Sequence, residues 1–322
     1  MISHDAAPQP PQVLDAIRQA LGRAVVGQGT AIELLLVALV AGGHVLLEGV
    51  PGVAKTLLAK ALARALDLRF SRVQLTPDLM PQDILGTNVF RPQSGTFELV
   101  KGPVFTDVLL ADELNRTPPK TQSALLEAMA ERQVTLDGVA HPLGDRFFVV
   151  ATQNPLELEG TYPLPEAQTD RFLMKLLLDY PSQAEEVEIL RRHHRGFDGQ
   201  DLAAAGVQTV VSPDALAALR ATARAVVVSE PLLEYVAAVC RATRVHAALR
   251  FGASPRATVA VLSAAKARAA VLGQAFVSPD DVKVVVPPVL RHRMVLRAEA
   301  ELSGLTADAV LEGLLGELPV PR

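Results

Sequence analysis

Residues 49–56 read GVPGVAKT and follow the apolar run Val45-Leu46-Leu47. Few folds accept a glycine-rich loop that ends in Lys-Thr behind a buried strand. Such a loop turns its backbone N–H groups inward onto anionic oxygens, while its lysine reaches the β- and γ-phosphates of a nucleotide. Lys55 and Thr56 occupy the reactive places of the form G-x-x-x-x-G-K-[ST]. Gly49 opens the loop, Pro51 stiffens it and Gly52 supplies an inner glycine. Ala54 stands where the form has its second glycine, and the added methyl is tolerated if φ there is negative. The following TLLAKALARAL has apolar residues at helical spacing, so the stretch predicts strand, loop and helix, with the helix N-terminus facing phosphate.

The chain has 322 residues, 49% of them hydrophobic, enough for two domains that each bury a core. Its most apolar stretch, residues 34–40, is too short to cross a bilayer and is bounded by Glu33 and Gly42-Gly43. No basic, apolar leader is recognisable, and Cys240 is the only cysteine, which excludes an internal disulfide and fits a reducing compartment. A cytoplasmic location is expected. A net charge of −4 gives no global attraction to nucleic acid. The densest basic cluster, Arg191-Arg192-His193-His194-Arg195, reads as a solvated helix end, with adjacent histidines that diverge instead of sharing a metal.

In chain order, a stretch holding Pro8, Pro10 and Pro11 predicts a flexible tail, followed by a lead-in helix over 13–21; residues 1–22 form this opening segment. A second apolar helix runs to Val40 and ends at Gly42-Gly43, and the first strand begins at His44. Residues 69–75 predict a second strand. Ser94-Gly95 predicts the turn of an inserted hairpin, whose Phe97 and Val100 are either core or exposed residues that grip something. The apolar strand over 108–111 runs straight into Asp112-Glu113, where parallel sheets place ligands; an acidic helix cap is the alternative. A helix from Thr117 leads to a second hairpin signal at Asp137-Gly138.

The strand over 147–150 ends at Thr152-Gln153-Asn154, where an uncharged amide can align a water or merely shape a turn before Pro155. After the strand over 172–178 and a helix over 183–194, the alternation implies a parallel sheet between helices across 23–195. Residues 196–206, rich in Gly, Asp and Ala, predict a linker. Everything over 207–322 reads as helical, with starts written at Ser212-Pro213, Ser254-Pro255 and Ser278-Pro279 and suggested at Glu230-Pro231.

The stretches GVPGVAKT, ADELNRTPPKTQSALLEAMAE, ATQNP and EAQTDRF, with Ser254-Pro255-Arg256 downstream, resemble the MoxR family of AAA+ ATPases over about residues 25–297. The two hairpins are similar to the insertions of the clade that also holds magnesium chelatase subunits. The resemblance implies an α/β phosphate-loop core followed by a small helical lid, with ATP and Mg²⁺ as cofactors. It implies nucleotide contacts from Val26, Gln28, Gly49, Pro51, Gly52, Val53, Ala54, Lys55, Thr56 and Leu57. Thr56 and Asp112 would hold Mg²⁺, and Glu113 would polarise the attacking water. Asn154 would be the first sensor, Arg256 the second sensor contributed by the lid, and Arg171 the finger entering a neighbouring subunit's site.

The implied activity is ATP hydrolysis by a homo-oligomeric, hexameric ring that remodels or activates a partner protein, often one bearing a von Willebrand factor A domain. Alternatives are a chelatase-like metal-insertion subunit, a nucleic-acid motor or an ATP-binding scaffold. Against a nucleic-acid motor stand the negative net charge and the absence of a basic helix-turn-helix-like C-terminus; against a scaffold stands Glu113. Each arginine also has a local reading: Arg171 could pair with Asp170 or Glu166, and Arg256 could cover a helix start against its dipole. Arg116 is a further candidate for phosphate or interface contact.

Overall fold

The computed structural model describes residues 10–155 and 160–321. Helix α1 (Pro10–Ala24) opens the described chain, so the helix starts within the expected tail, and residues 1–9 lie outside the described residues. Its Val13, Leu14, Ile17 and Leu21 are buried. Helix α2 (Gly29–Ala41) ends at Gly42, whose φ of 76° sends the chain into β1 (His44–Gly49).

Then follow α3 (Lys55–Ala65), β2 (Phe70–Gln74), α4 (Pro81–Leu85) and the hairpin β3 (Gly86–Arg91) with β4 (Thr96–Lys101). Strand β5 (Val108–Asp112), α5 (Pro119–Glu131) and the hairpin β6 (Gln133–Leu136) with β7 (Val139–Pro142) come next. Strand β8 (Phe148–Gln153), α6 (Glu166–Thr169), β9 (Phe172–Leu178) and α7 (Gln183–His194) complete the core domain. Helix α5 begins at Pro119, two residues beyond the expected Thr117 start, because Thr117 closes a 3₁₀ turn at 114–116.

Five parallel strands form the central sheet in the order β2-β5-β8-β1-β9. Strand side chains alternate between its faces and both faces are covered, so the strands read as unbroken apolar runs. Val108 and Leu110 enter one core with Val45, Leu47 and Val150; Leu109 and Ala111 enter the other with Leu46, Val149 and Phe147. Leu110 is fully buried, and truncating such a residue to alanine costs about 2–5 kcal/mol.

The lid comprises α8 (Pro213–Ala225), α9 (Glu230–Val245), β10 (Leu249–Phe251), α10 (Pro255–Val271), α11 (Pro279–Leu290), β11 (Val295–Leu296), α12 (Ala298–Leu302) and α13 (Ala307–Glu317). Ser212, Ser254 and Ser278 cap their helices as their Ser-Pro pairs predict. The antiparallel pair β10–β11 is a departure from the all-helical reading; strands of this length carry no periodicity to read.

Ala257, Ala264, Ala265, Ala267, Ala269 and Ala270 along α10 are fully buried in one apolar cluster with Leu35, Leu36 and Leu39 of α2. Small side chains let the two helices approach closely. Arg268 of α10 pairs with Glu33 of α2 at 3.1 Å and with Asp281 of α11 at 2.6 Å. The lid therefore shares a core with α2. Residues 196–206 are tied down as well, with Lys60 donating to the Gln200 carbonyl at 2.8 Å and Leu202 buried.

Candidate active site

The phosphate loop lies between the end of β1 and the start of α3, at the C-terminal edge of the sheet. A Cβ on Gly49 would stand 2.6 Å from the Leu178 carbonyl oxygen, so only glycine allows β1 and β9 to close there. Gly52 has φ +87° with open space beside it, which leaves the backbone accessible to an anion. Ala54 overturns the expectation of a negative φ: it is left-handed at 63°, because the loop reverses at this residue to enter α3. A side chain in that region costs about 1–2 kcal/mol. Gln28 and Glu113 near the site are left-handed too, as are Asp67, Arg132 and Asp137 elsewhere.

Lys55 Nζ donates to the Gly49 carbonyl at 2.7 Å, which holds the ammonium over the loop. Thr56 Oγ1 lies 3.4 Å from Asp112 Oδ2, over the end of β8, the strand that separates β1 from β5. One hydroxyl and one carboxylate beside a helix N-terminus suit Mg²⁺, which takes oxygen ligands and keeps the rest of its shell for phosphate and water. Among the described residues no cluster of His, Cys, Asp or Glu offers an all-protein metal cage. Beside the loop, Val26, Gln28, Gly52, Val53, Ala54 and Leu57 line a largely apolar pocket of about 150 Å³ with Pro181, Ile189 and Phe197. Arg192 also lines it and donates to the Gly22 and Arg23 carbonyls at 2.7 and 3.0 Å, capping α1. The basic cluster is thus partly structural, in contrast to the solvated helix end expected.

The acidic pair is held by residues that no local motif announces. Thr152 Oγ1 donates to Asp112 Oδ1 at 2.6 Å and accepts from the Glu113 N–H at 2.8 Å. Arg72 Nη2 donates to Asp112 Oδ2 at 2.7 Å. Gln74 Nε2 and Arg116 Nη1 both donate to Glu113 Oε2, at 2.7 and 2.9 Å. Arg116 is therefore a partner of Glu113 in this structure. Asp112 is buried, and Asn154, at the end of β8, is buried on the same edge. The only sequence signal for Arg72 and Gln74 is their spacing by two on β2, which turns both to one side; the register Gln74↔Asp112 brings them to the carboxylates.

The remaining expected arginines lie at the other edge. Phe172 pairs with His44, the first residue of β1, whereas Leu178 pairs with Gly49, the last. Arg171 and Asp170 therefore precede the starting edge of the sheet, a strand length of roughly 17 Å from the phosphate loop. Arg256, at the start of α10, is exposed and lies 3.8 Å from Asp170 Oδ2. The structure does not bring Arg256 to Lys55 of its own chain. Arg293, which sequence reading missed, is only 4% exposed and donates to Asp170 Oδ1 at 2.6 Å and to the Phe172 and Leu173 carbonyls at 2.7 and 3.0 Å. Burial lowers the Arg293 pKa, and the Asp170 bond acts against that shift. With Asp170 engaged by lid arginines, Arg171 donates to the Leu126 carbonyl at 3.2 Å and has no carboxylate partner among the described residues.

The chain is similar to known proteins along most of its length. A family model described as ATPase family associated with various cellular activities (AAA) matches residues 44–174, and one described as AAA lid domain matches residues 241–314. Chaperone MoxR1 of Mycobacterium tuberculosis is 43% identical over 99% of this chain and 87% of its own length. A Bacillus subtilis protein, the uncharacterized YeaC, is 42% identical over 94% of this chain and 92% of its own. The crystal structure of a Cytophaga hutchinsonii protein assigned as an ATPase superimposes with a TM-score of 0.88 at 42% identity, covering 97% of this chain and 96% of that one. These likenesses run through core and lid alike, and the chain belongs to the MoxR family of AAA+ ATPases.

Proposed function

We propose that the protein is a Mg²⁺-dependent ATPase whose active site is completed between subunits of a head-to-tail ring, and that the ring remodels or activates a partner protein. The observation that carries this reading is the split of the charged groups between two edges of one sheet. Lys55, Thr56, Asp112, Glu113 and Asn154 gather at the phosphate-loop edge, while Arg171 and Arg256 emerge at the opposite edge. Two such edges meet if each subunit sets the starting edge of its sheet against the phosphate loop of the next, a heterologous contact that closes into rings.

In this site Val26, Gln28, Val53 and Leu57 bound the pocket that takes the base, and Gly49, Pro51, Gly52 and Ala54 shape the phosphate cradle. Lys55 would hold the β- and γ-phosphates, and Thr56 and Asp112 would hold the cation, which would supply positive charge to the phosphoryl oxygens. Glu113 takes up the proton of the attacking water once its carboxylate is freed from Gln74 and Arg116. Asn154 orients that water without adding charge. Arg171 and Arg256 of the adjoining subunit stabilise charge on the transferring group.

Separate measurement of nucleotide binding and phosphate release tests the assignment. Lys55→Ala should lose ATP affinity. Glu113→Gln should keep it and lose turnover by about 10²–10⁴-fold, the usual contribution of a positioned base. Normal hydrolysis by Glu113→Gln would remove Glu113 from the reaction.

A further inference from the structure

A second charged cavity, of about 810 Å³, lies at the starting edge of the sheet, between the core and α8 of the lid. Arg69, Arg132, Arg146, Arg220 and Arg224 line it, against the carboxylates of Asp107, Asp145 and Asp214. Its volume falls within the range of small-molecule sites, about 300–1,000 Å³. Asp107 is already used: burial pushes its carboxyl up, but Arg69 at 3.0 Å and Arg146 at 3.7 Å more than offset this and hold it low.

Arg220 spends its donors on carbonyls, Leu39 at 2.8 Å and Asp145 at 2.6 Å, and Arg132 does the same with Gly42 at 2.5 Å and Asp145 at 2.9 Å. Neither has a carboxylate within ion-pair distance among the described residues. Five arginines thus face three carboxylates in this concave site, and the charges of Arg132 and Arg220 are only partly offset, by Asp145 at longer range. Burial pulls the Arg220 pKa down to about 10, with Arg132 and Arg224 pushing the same way and Asp145 against. An anion in the cavity relieves that repulsion. Leu143, Leu216 and Ala217 supply an apolar wall beside the charges.

We infer that this cavity is a binding site, distinct from the phosphate loop, for a small anion carrying two or more phosphate groups. Arg146 and Arg224, whose guanidinium groups are not spent on carbonyls, suit phosphate oxygens, which accept paired N–H bonds, while Arg132 and Arg220 contribute their charge from the wall. Because Arg132 and Arg146 belong to the core and Arg220 and Arg224 to α8, an occupant bridges the two domains and links lid position to its concentration.

The test uses the full chain saturated with ADP and Mg²⁺, so that the phosphate loop is filled, and titrates it calorimetrically with inorganic pyrophosphate and, separately, with a sugar bisphosphate. Saturable binding of either is expected, and which one binds tells a free oligophosphate from a phosphate ester. Arg146 and Arg224 are exposed, and Asp107 keeps Arg69 when Arg146 is removed, so Arg146→Ala and Arg224→Ala leave folding intact. Each should weaken the anion by roughly tenfold, the value of one charge-assisted bond, with ADP affinity and melting temperature unchanged. No binding of either anion, binding indifferent to both substitutions, or a response only to a glutamate-rich peptide would overturn the assignment.

Discussion

The two edges of the central sheet hold their charges in different ways. At the phosphate-loop edge, Lys55 and Thr56 are neighbours in sequence and reach their partners from one tight loop at the head of α3. At the starting edge, Asp170, Arg256 and Arg293 come from the core and two parts of the lid, and meet only because α11 packs on β9. The phosphate loop and the acidic pair at the first edge are each local devices, although register joins them, whereas the second edge is tertiary throughout. A local device is written as a motif; a tertiary one is not.

The largest effect expected concerns the second edge. Arg171→Ala should retain ATP affinity and lose about 10³–10⁵ in turnover, the usual value of an arginine at a phosphoryl transition state. Affinity lost together with turnover would instead assign Arg171 to nucleotide binding or folding. Next in size is Asp170→Asn. Removing the carboxylate leaves the Arg293 guanidinium buried with carbonyl partners alone, a change that costs about 3 kcal/mol in denaturant unfolding. A loss within the surface-pair range of about 0–1 kcal/mol would mean that the lid is not fastened there.

These two cases show what the sequence made legible. Ser212, Ser254 and Ser278 announced helix starts because capping is a contact across three residues. The strand ending in Asp112-Glu113 and the hairpin at Asp137-Gly138 were equally local. Gln74, Arg72 and Thr152, which grip the acidic pair, and Arg293, which grips Asp170, depend on strand register and on lid docking. Nothing in their immediate surroundings marks them. The sequence leaves Phe97 and Val100 open between core and surface; both are exposed, with Phe90 and Phe97 in ring contact at 5.4 Å. The Ala54 expectation failed for a further reason: sequence alone does not report φ, and the loop accepts strain to enter α3.

The starting edge should also be the acid-sensitive one. His44 accepts from the Val149 N–H at Nδ1 and faces the Met129 carbonyl through Nε2, at 3.0 and 3.1 Å, so the ring is neutral with its proton on Nε2. Burial lowers its pKa from 6.5 to about 4. The unfolded chain takes up a proton near 6.5 and the folded chain only near 4, so stability is full above 6.5 and falls as pH drops toward 4. The slope should not exceed about 1.4 kcal/mol per pH unit for this residue. His292, half-buried and lowered in the same direction by desolvation, adds to it. Unfolding across this window should be less pH-dependent in His44→Asn, and an unchanged slope would exonerate His44.

The smallest effect returns to the phosphate loop. Ala54→Gly relieves about 1–2 kcal/mol of left-handed strain and gives back about 0.4–1 kcal/mol through greater freedom of the unfolded chain. The melting temperature should therefore rise slightly or stay level. A clear fall would show that the methyl group contributes packing that outweighs its strain.

The most direct test of a site divided between the two edges mixes two inactive proteins. Arg171→Ala and Glu113→Gln homo-oligomers should each fail to hydrolyse ATP. Mixed before assembly, an Arg171→Ala chain offers its intact Glu113 to the Arg171 of a Glu113→Gln neighbour, repairing about a quarter of interfaces in a randomly mixed heterologous ring. Phosphate release above that of either parent is the predicted result. Demonstrated co-assembly with no recovered hydrolysis would contradict the shared site and confine Arg171 to its own chain.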